Sequence, residues 1–264
     1  MLIDAMFENP AHMTELMGIK EVDALVLPEE RIDAAQLKTA VDACRAAGKK
    51  CIIQMPYVFR NAQSRDYLRR EKELLLAGAD GWLVRSIDEA AFLSERGWSG
   101  LRIFDAGMYG WNHRARQLMR QMGADVLTAP FELTLRELTD TFADDTCPKE
   151  LVIYGRQPAM VSAQCIQKTE EGCAKGRKEY CFRPMRDRTG AVFLAQNRCR
   201  TCTNVIYNSV PLWLLDQDIS ILDPDRVCFR FTDEEKGMPS AIIRGWLEGD
   251  PVKPERFTRG HKTQ

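Results

Sequence analysis

Short apolar runs alternate with helical repeats over residues 1 to about 156. The runs cover 2–6, 24–27, 51–55, 81–84, 101–104, 126–129 and 151–154, and are rich in Val, Ile, Leu and Phe. Runs of this length and composition read as strands buried on both faces. Between them the period lengthens. A helix is predicted over 33–47, with Ala34, Leu37, Val41 and Cys44 on one face and Gly48 past its end. Another is predicted over 64–77, from a capping Ser64 to a stop at Gly78. Segments 88–96, 112–122 and 134–142 behave likewise, with Gly97 and Gly123 just past two of them. Gly-Ala-Asp occurs at 78–80 and again at 123–125, each time just before a strand. Strand–helix alternation with short loops predicts a parallel α/β fold. Seven strands with this repeat suggest a TIM-like (β/α) barrel, one strand short of the usual eight. No Gly-x-Gly-x-x-Gly follows the first strand, which counts against a dinucleotide fold.

After Tyr154 the pattern is lost. Residues 163–200 are polar, charged and cysteine-rich. Positions 186–190 read as a turn between two short strands, near Met185 and 192–194. A helix is predicted over 211–217, and the Pro- and charge-rich tail from Gly249 runs over the surface. The expected division is a barrel core over 1–160, then a cysteine-rich segment with closing elements over 161–264.

The chain has 264 residues, 45% apolar and 28% charged, enough to bury a full core. Its net charge of −1 supplies no overall basic field for nucleic acid. The basic run 175–188 reads as a solvated loop. No apolar stretch reaches the roughly 20 residues of a membrane span. The start, Met1-Leu2-Ile3-Asp4, has no basic n-region or cleavage site, so a cytoplasmic protein with reduced thiols is expected.

Five of the nine cysteines fall in one segment, spaced Cys165-x7-Cys173-x7-Cys181-x17-Cys199-x2-Cys202. Four thiolates suit either a structural zinc or a cubane cluster. A single Cys-x-x-Cys with wide remaining spacings favours a cluster held by long loops. Cys44, Cys51, Cys147 and Cys228 read as buried small hydrophobes.

Reactive groups of a barrel sit at the C-terminal ends of its strands. Those ends offer Gln54, Tyr57, Arg85, Asp105, Glu132, Tyr154 and Arg156. Two arginines converging on the mouth, Arg85 and Arg156, could clamp a dicarboxylate. Arg156, Tyr154 and Asp105 are the candidate catalytic residues, and Arg85, Gln54 and Asn208 the candidate substrate-binding ones. No His-Glu-x-x-His or Gly-x-Ser-x-Gly is present, and the three histidines, His12, His113 and His261, neighbour no candidate nucleophile in sequence.

The stretch from Tyr154-Gly155-Arg156 through Ser162-Ala163-Gln164-Cys165, then Cys173, Asp187-Arg188-x-Gly190 with Phe193, Cys199-x-x-Cys202 and Ile206-Tyr207-Asn208-Ser209, resembles peptidase family U-32. These are the collagenase-like proteins of bacteria, and the likeness is to the later barrel of the long clostridial type. The end, Phe257-Thr258-Arg259-Gly260-His261, also resembles that family's core. The resemblance implies a (β/α) barrel with a 4Fe–4S cluster, its ligands carried over onto Cys165, Cys173, Cys199 and Cys202, with Cys181 an extra. It further implies oxygen-independent hydroxylation of an RNA base or a related aromatic acceptor, with an anionic oxygen donor such as prephenate. Ser-Ala-Gln-Cys165 departs from the His-Gly-Ala-x-Cys of the shorter members. Alternatives are a collagenase-like protease, and a non-catalytic, metal-bound module (zinc or cluster) serving a partner barrel or a second copy.

Overall fold

The computed structural model describes residues 1–28, 30, 32, 34–142, 146–173, 175 and 181–260. His261, Asp33 and the stretch 176–180 of the basic run lie outside the described residues. In chain order the elements are β1 (Leu2–Phe7), α1 (Met13–Met17), β2 (Ala24–Leu27), α2 (Ala34–Ala46), β3 (Lys50–Gln54), α3 (Asn61–Arg69), α4 (Glu71–Ala77), β4 (Gly81–Val84), α5 (Ile87–Glu95), β5 (Leu101–Phe104), α6 (His113–Gln121), β6 (Val126–Thr128), α7 (Leu135–Phe142) and β7 (Lys149–Gly155). There follow β8 (Pro158–Ser162), α8 (Ile166–Glu171), β9 (Phe182–Arg186), β10 (Val192–Arg198), β11 (Thr203–Tyr207), β12 (Leu212–Trp213), β13 (Arg226–Phe231) and α9 (Met238–Leu247).

Strands β1 to β7 pair in parallel in sequence order, and β13 closes the ring between β7 and β1. The result is a closed, eight-stranded TIM-like barrel. Alternate residues divide between two apolar layers, as the pleat requires. Met6, Val26, Ile52, Leu83, Ile103, Val126, Val152 and Cys228 fill the barrel interior. Ala5, Leu25, Ile53, Val84, Phe104, Ile153 and Phe229 pack outward in the layer shared with the helices.

The Gly-Ala-Asp repeat has a structural reason. Asp80 accepts a hydrogen bond from Cys51 N at 2.8 Å, and Asp125 one from Arg102 N at 2.8 Å. Asp23 does the same for Ile3 N and Asp225 for Lys149 N, both at 2.7 Å. Each aspartate precedes an even-numbered member of the ring and ties down the first or second residue of the strand before it.

Three expectations need correction. The eighth strand, β13, was not predicted, because Arg226 and Arg230 interrupt its apolar run. Both are buried: Arg226 forms a bidentate pair with Asp4, and Arg230 pairs with Asp105. The helix expected over 211–217 is instead β12 and a turn. Strand β6 ends at Thr128, which leaves the far end of β7 open, and Leu212 and Trp213 take that edge opposite Gly155 and Tyr154. The helix expected from Ser64 is two helices broken at Arg70. The first begins upstream at Asn61, where Arg60 N donates to the Gln63 side chain at 3.1 Å.

Strands β8 to β11 form a separate antiparallel sheet in the order β8-β11-β10-β9, with the 186–190 turn joining β9 to β10 as expected. Strand β10 docks this sheet on the C-terminal mouth of the barrel. Arg198 reaches Glu8, just past β1, at 2.8 Å and Glu30, past β2, at 2.7 Å, and all three side chains are buried. Among the described residues no helix is long and apolar enough to cross a membrane.

Candidate functional site

Two cavities border the small sheet. The first, of about 640 Å³, is lined by Cys165, Cys173, Cys199 and Cys202 together with Lys168, Lys175, Arg198 and Arg200. Local structure holds each thiol differently. Cys165 caps α8, its Sγ accepting from Lys168 N at 3.4 Å, and Cys173 Sγ accepts from Lys175 N at 3.4 Å. Cys199 and Cys202 form a tight turn after β10, closed by Cys202 N donating to Cys199 O at 3.3 Å. Cys202 sits at φ 52, a left-handed conformation that costs a non-glycine residue energy and recurs at functional sites. Cys181 does not line the cavity. Cys44, Cys51, Cys147 and Cys228 are buried elsewhere.

The donor set suits a thiolate-ligated metal group. As the chains stand, no three His, Cys, Asp or Glu side chains among the described residues are close enough to hold a single ion. The thiols surround a space rather than a point.

The second cavity, of about 350 Å³, opens at the barrel mouth between strand ends and β8. Its lining includes Tyr57, Arg85, Asp105, Tyr109, Phe131, Glu132 and Arg230, with residues 158–161 opposite. Asp105 is its hub. Its Oδ2 accepts from Arg85 Nε at 3.1 Å and its Oδ1 from Arg230 Nη2 at 2.7 Å. Burial alone would raise the Asp105 carboxyl, but Arg230 and Arg85 outweigh it and hold the group at about 2. Arg85 is fully engaged, donating also to Met55 O at 2.7 Å and Gln54 Oε1 at 3.0 Å. Beneath the mouth, Glu150 accepts from the Thr128 hydroxyl at 2.8 Å, and burial reinforced by Asp4 pushes its carboxyl up to about 8.

Of the sequence candidates, Arg85, Asp105 and Gln54 therefore come together. Arg156 does not line the mouth cavity. Its Nε pairs with Asp233 at 2.9 Å and its Nη1 donates to the Asn208 and Ser209 carbonyls. The expected Arg85–Arg156 clamp is thus not formed, and the arginine that meets Arg85 across Asp105 is Arg230. The Asn208 side chain turns back on Ser209 N at 2.8 Å. Tyr154 donates to Glu234 at 3.1 Å, and burial raises both its hydroxyl and the Glu234 carboxyl, the latter to about 7. Arg198, Glu8, Glu30 and Arg230 were missed. Only Arg230, between Phe229 and Phe231 inside a strand, carried a signal in the sequence; the other three have polar or charged neighbours.

The sequence profile of peptidase family U32 matches residues 16–198. The structure is similar to that of the U32 peptidase Mk0906, with a TM-score of 0.56 and 13% identity over 89% of this chain and 94% of that one. More distant likenesses include the thiamine phosphate pyrophosphorylase from Pyrococcus furiosus, with a TM-score of 0.41 and 10% identity over 57% of this chain and 73% of that one. Another is the orotidine 5'-monophosphate decarboxylase from Methanocaldococcus jannaschii, with a TM-score of 0.42 and 14% identity over 57% and 80%. No curated protein matches the sequence.

Proposed function

The chain belongs to peptidase family U32, and from that membership we propose that it works as an iron–sulfur enzyme rather than as a hydrolase. In this reading Cys165, Cys173, Cys199 and Cys202 hold a 4Fe–4S cluster. The adjoining barrel mouth receives an aromatic acceptor, an RNA base or a related ring, for oxygen-independent hydroxylation. The supporting observation is that four thiols, distant in sequence, line one cavity of about 640 Å³. Zinc draws its sulfurs to about 2.3 Å from one centre; a space of this size suits the bulkier cubane. Lys168, Lys175 and Arg200 on the same wall offset the negative charge of thiolate ligands. When bound, a cluster supplies one-electron redox chemistry.

An anionic oxygen donor such as prephenate fits Lys168, which lines the cysteine cavity, better than Arg85, whose nitrogens are all occupied, or Arg200, which pairs with Asp66 at 3.1 Å. Hydrolysis draws little support from the two described histidines. His12 is buried with its Nε2 on the Glu234 carbonyl at 3.0 Å, and His113 is exposed at the start of α6.

The test is the visible absorption and metal content of protein purified without oxygen. Brown protein with about four irons per chain, lost on Cys199→Ala, is expected. Colourless protein carrying one zinc, or peptide hydrolysis by metal-free protein, overturns the reading.

A further inference from the structure

A third cavity, of about 260 Å³, lies on the flank of the barrel. It forms where β6 stops at Thr128: Ala129, Pro130 and Phe131, the next three residues, all line it. Its walls are Leu135 and Leu138 of α7, Leu151 and Val152 of β7, and Leu212 and Leu214 at and just after β12. Protein interiors keep few voids larger than a water molecule, and side chains around an apolar void lose packing partners. Water gains little in such a space, because it needs two or more polar partners.

The polar side chains of the lining are already engaged. Arg259 forms a bidentate pair with Asp216 and donates to Trp213 O at 2.9 Å. Gln217 donates to Asp216 at 2.9 Å, and the Thr134 hydroxyl to Glu137 at 2.8 Å. The Gln157 amide nitrogen is closed off even from water and so faces elsewhere. With its guanidinium neutralised by Asp216, the wall holds no charge that would draw an ion.

The C-terminal tail covers one side. Trp213 Nε1 donates to Val252 O at 3.0 Å, Thr258 N donates to Pro211 O at 2.9 Å, and the Phe257 ring packs on Trp213 at 4.9 Å between centroids. At Gly260 the tail passes close over the cavity wall, where a Cβ would lie 3.2 Å from Phe131 O. The last fastening, Arg259 to Asp216, is partly exposed, and such pairs are weak. Entry therefore requires only the end of the tail to lift.

We propose that this flank cavity binds a small uncharged apolar molecule, a hydrocarbon ring or branched chain, taken in beneath the tail. An apolar cavity of about 150 Å³ admits benzene, so this one has room for a substituted ring. Phe131 lines both this cavity and the mouth cavity, and its ring lies 5.4 Å from the Arg230 guanidinium. A guest on one side of that ring thus bears on the barrel mouth on the other. The inference stands apart from the iron–sulfur reading.

Calorimetry of the full chain with toluene supplies the test, with benzoate as the charged molecule of similar shape. One toluene per chain is expected, with a negative heat-capacity change. Benzoate is expected to bind at least about a hundredfold more weakly, because its carboxylate would be buried unpaired. Ala129→Leu and Leu214→Phe fill the space from two different segments. Each is expected to weaken toluene binding at least about tenfold, since the guest must then overpack the wall. In the unsubstituted protein toluene is expected to slow hydrogen exchange in fragments covering 129–135 and 252–260, which locates the site without any variant. No binding of toluene, equal affinity for benzoate, or slowed exchange confined to other segments overturns the proposal.

Discussion

The Arg198 guanidinium lies 4.8 Å from the centroid of the Tyr57 ring, and this contact joins the two cavities. Arg198 lines the cysteine cavity and Tyr57 the mouth cavity. Arg85 lies against the same ring at 3.9 Å. The small sheet, the cysteine turn and the barrel mouth are therefore coupled through one aromatic side chain.

Arg198 also secures that sheet. Replacing it with methionine keeps much of the bulk but removes the charge to which the buried Glu8 and Glu30 both pair. Breaking a buried pair from one side costs about 3–5 kcal/mol. Arg198→Met is expected to lower the urea midpoint by a corresponding amount and to speed hydrogen exchange in β9 to β11 more than in β3 to β5. Equal exchange in both regions would show that the pair does not anchor the sheet.

Cys181 provides an internal control. It lies outside the cavity that gathers the other four. Cys181→Ser is expected to leave iron content and absorption unchanged, whereas Ser at Cys165, Cys173, Cys199 or Cys202 lowers both. Elemental analysis of the five variants checks this, and a loss at Cys181 equal to the others would make it a ligand.

Glu150 sets a pH dependence. Its carboxyl is raised to about 8 by burial and by Asp4. Between its unfolded value near 4.5 and about 8 the folded protein holds a proton that the unfolded chain releases, so stability falls as pH rises through that window. Glu150→Gln is expected to flatten the decline while keeping the acceptor for the Thr128 hydroxyl. Asp105 acts at the other end. Depressed to about 2, it contributes stability above the ordinary carboxylate range that is lost as pH falls toward 2. Denaturation midpoints measured from pH 2 to 9 for the parent and Glu150→Gln protein test both signs.

Gly155 is a backbone requirement. It sits at φ 133, and a Cβ there would lie 2.2 Å from Arg230 O. Gly155→Ala is expected to force β7 away from β13 at the level of Arg230 and to cost several kcal/mol, on the order of the largest single-site effects. A melting temperature within a degree or two of the parent's would refute this.

Much of the barrel could be read directly from the chain. The runs at 24–27, 81–84 and 101–104 became β2, β4 and β5 with the same bounds, because strands buried on both faces need continuous apolar sequence. That same rule hid β13. Its inward positions carry Arg226, Cys228 and Arg230, which are tolerated only because Asp4, Asp105 and Glu150 wait inside the barrel, and those partners are remote in sequence. The four cavity cysteines were recognisable from their spacing and family likeness. The mouth was harder. Arg156 stands next to the motif, yet Asp233 holds it aside, whereas Arg230 and Tyr57 acquire meaning only when the closed ring brings them together.

The four aspartate ties differ in reach, and that difference bears on how the chain finds its fold. Three of them join residues 20, 29 and 23 apart, while Asp225 reaches back 76 residues to Lys149. Loop entropy grows with the logarithm of length, so the last closure costs about 1 kcal/mol more than the others. High contact order at one seam makes it the expected late step, with β1 to β6 assembling before β13 inserts. The four cavity cysteines all lie in the segment that must be spanned. A group bound across Cys165 and Cys202 would shorten that segment before the ring shuts. Pulse-labelled hydrogen exchange is then expected to show β13 protected last, and sooner when metal is present during refolding.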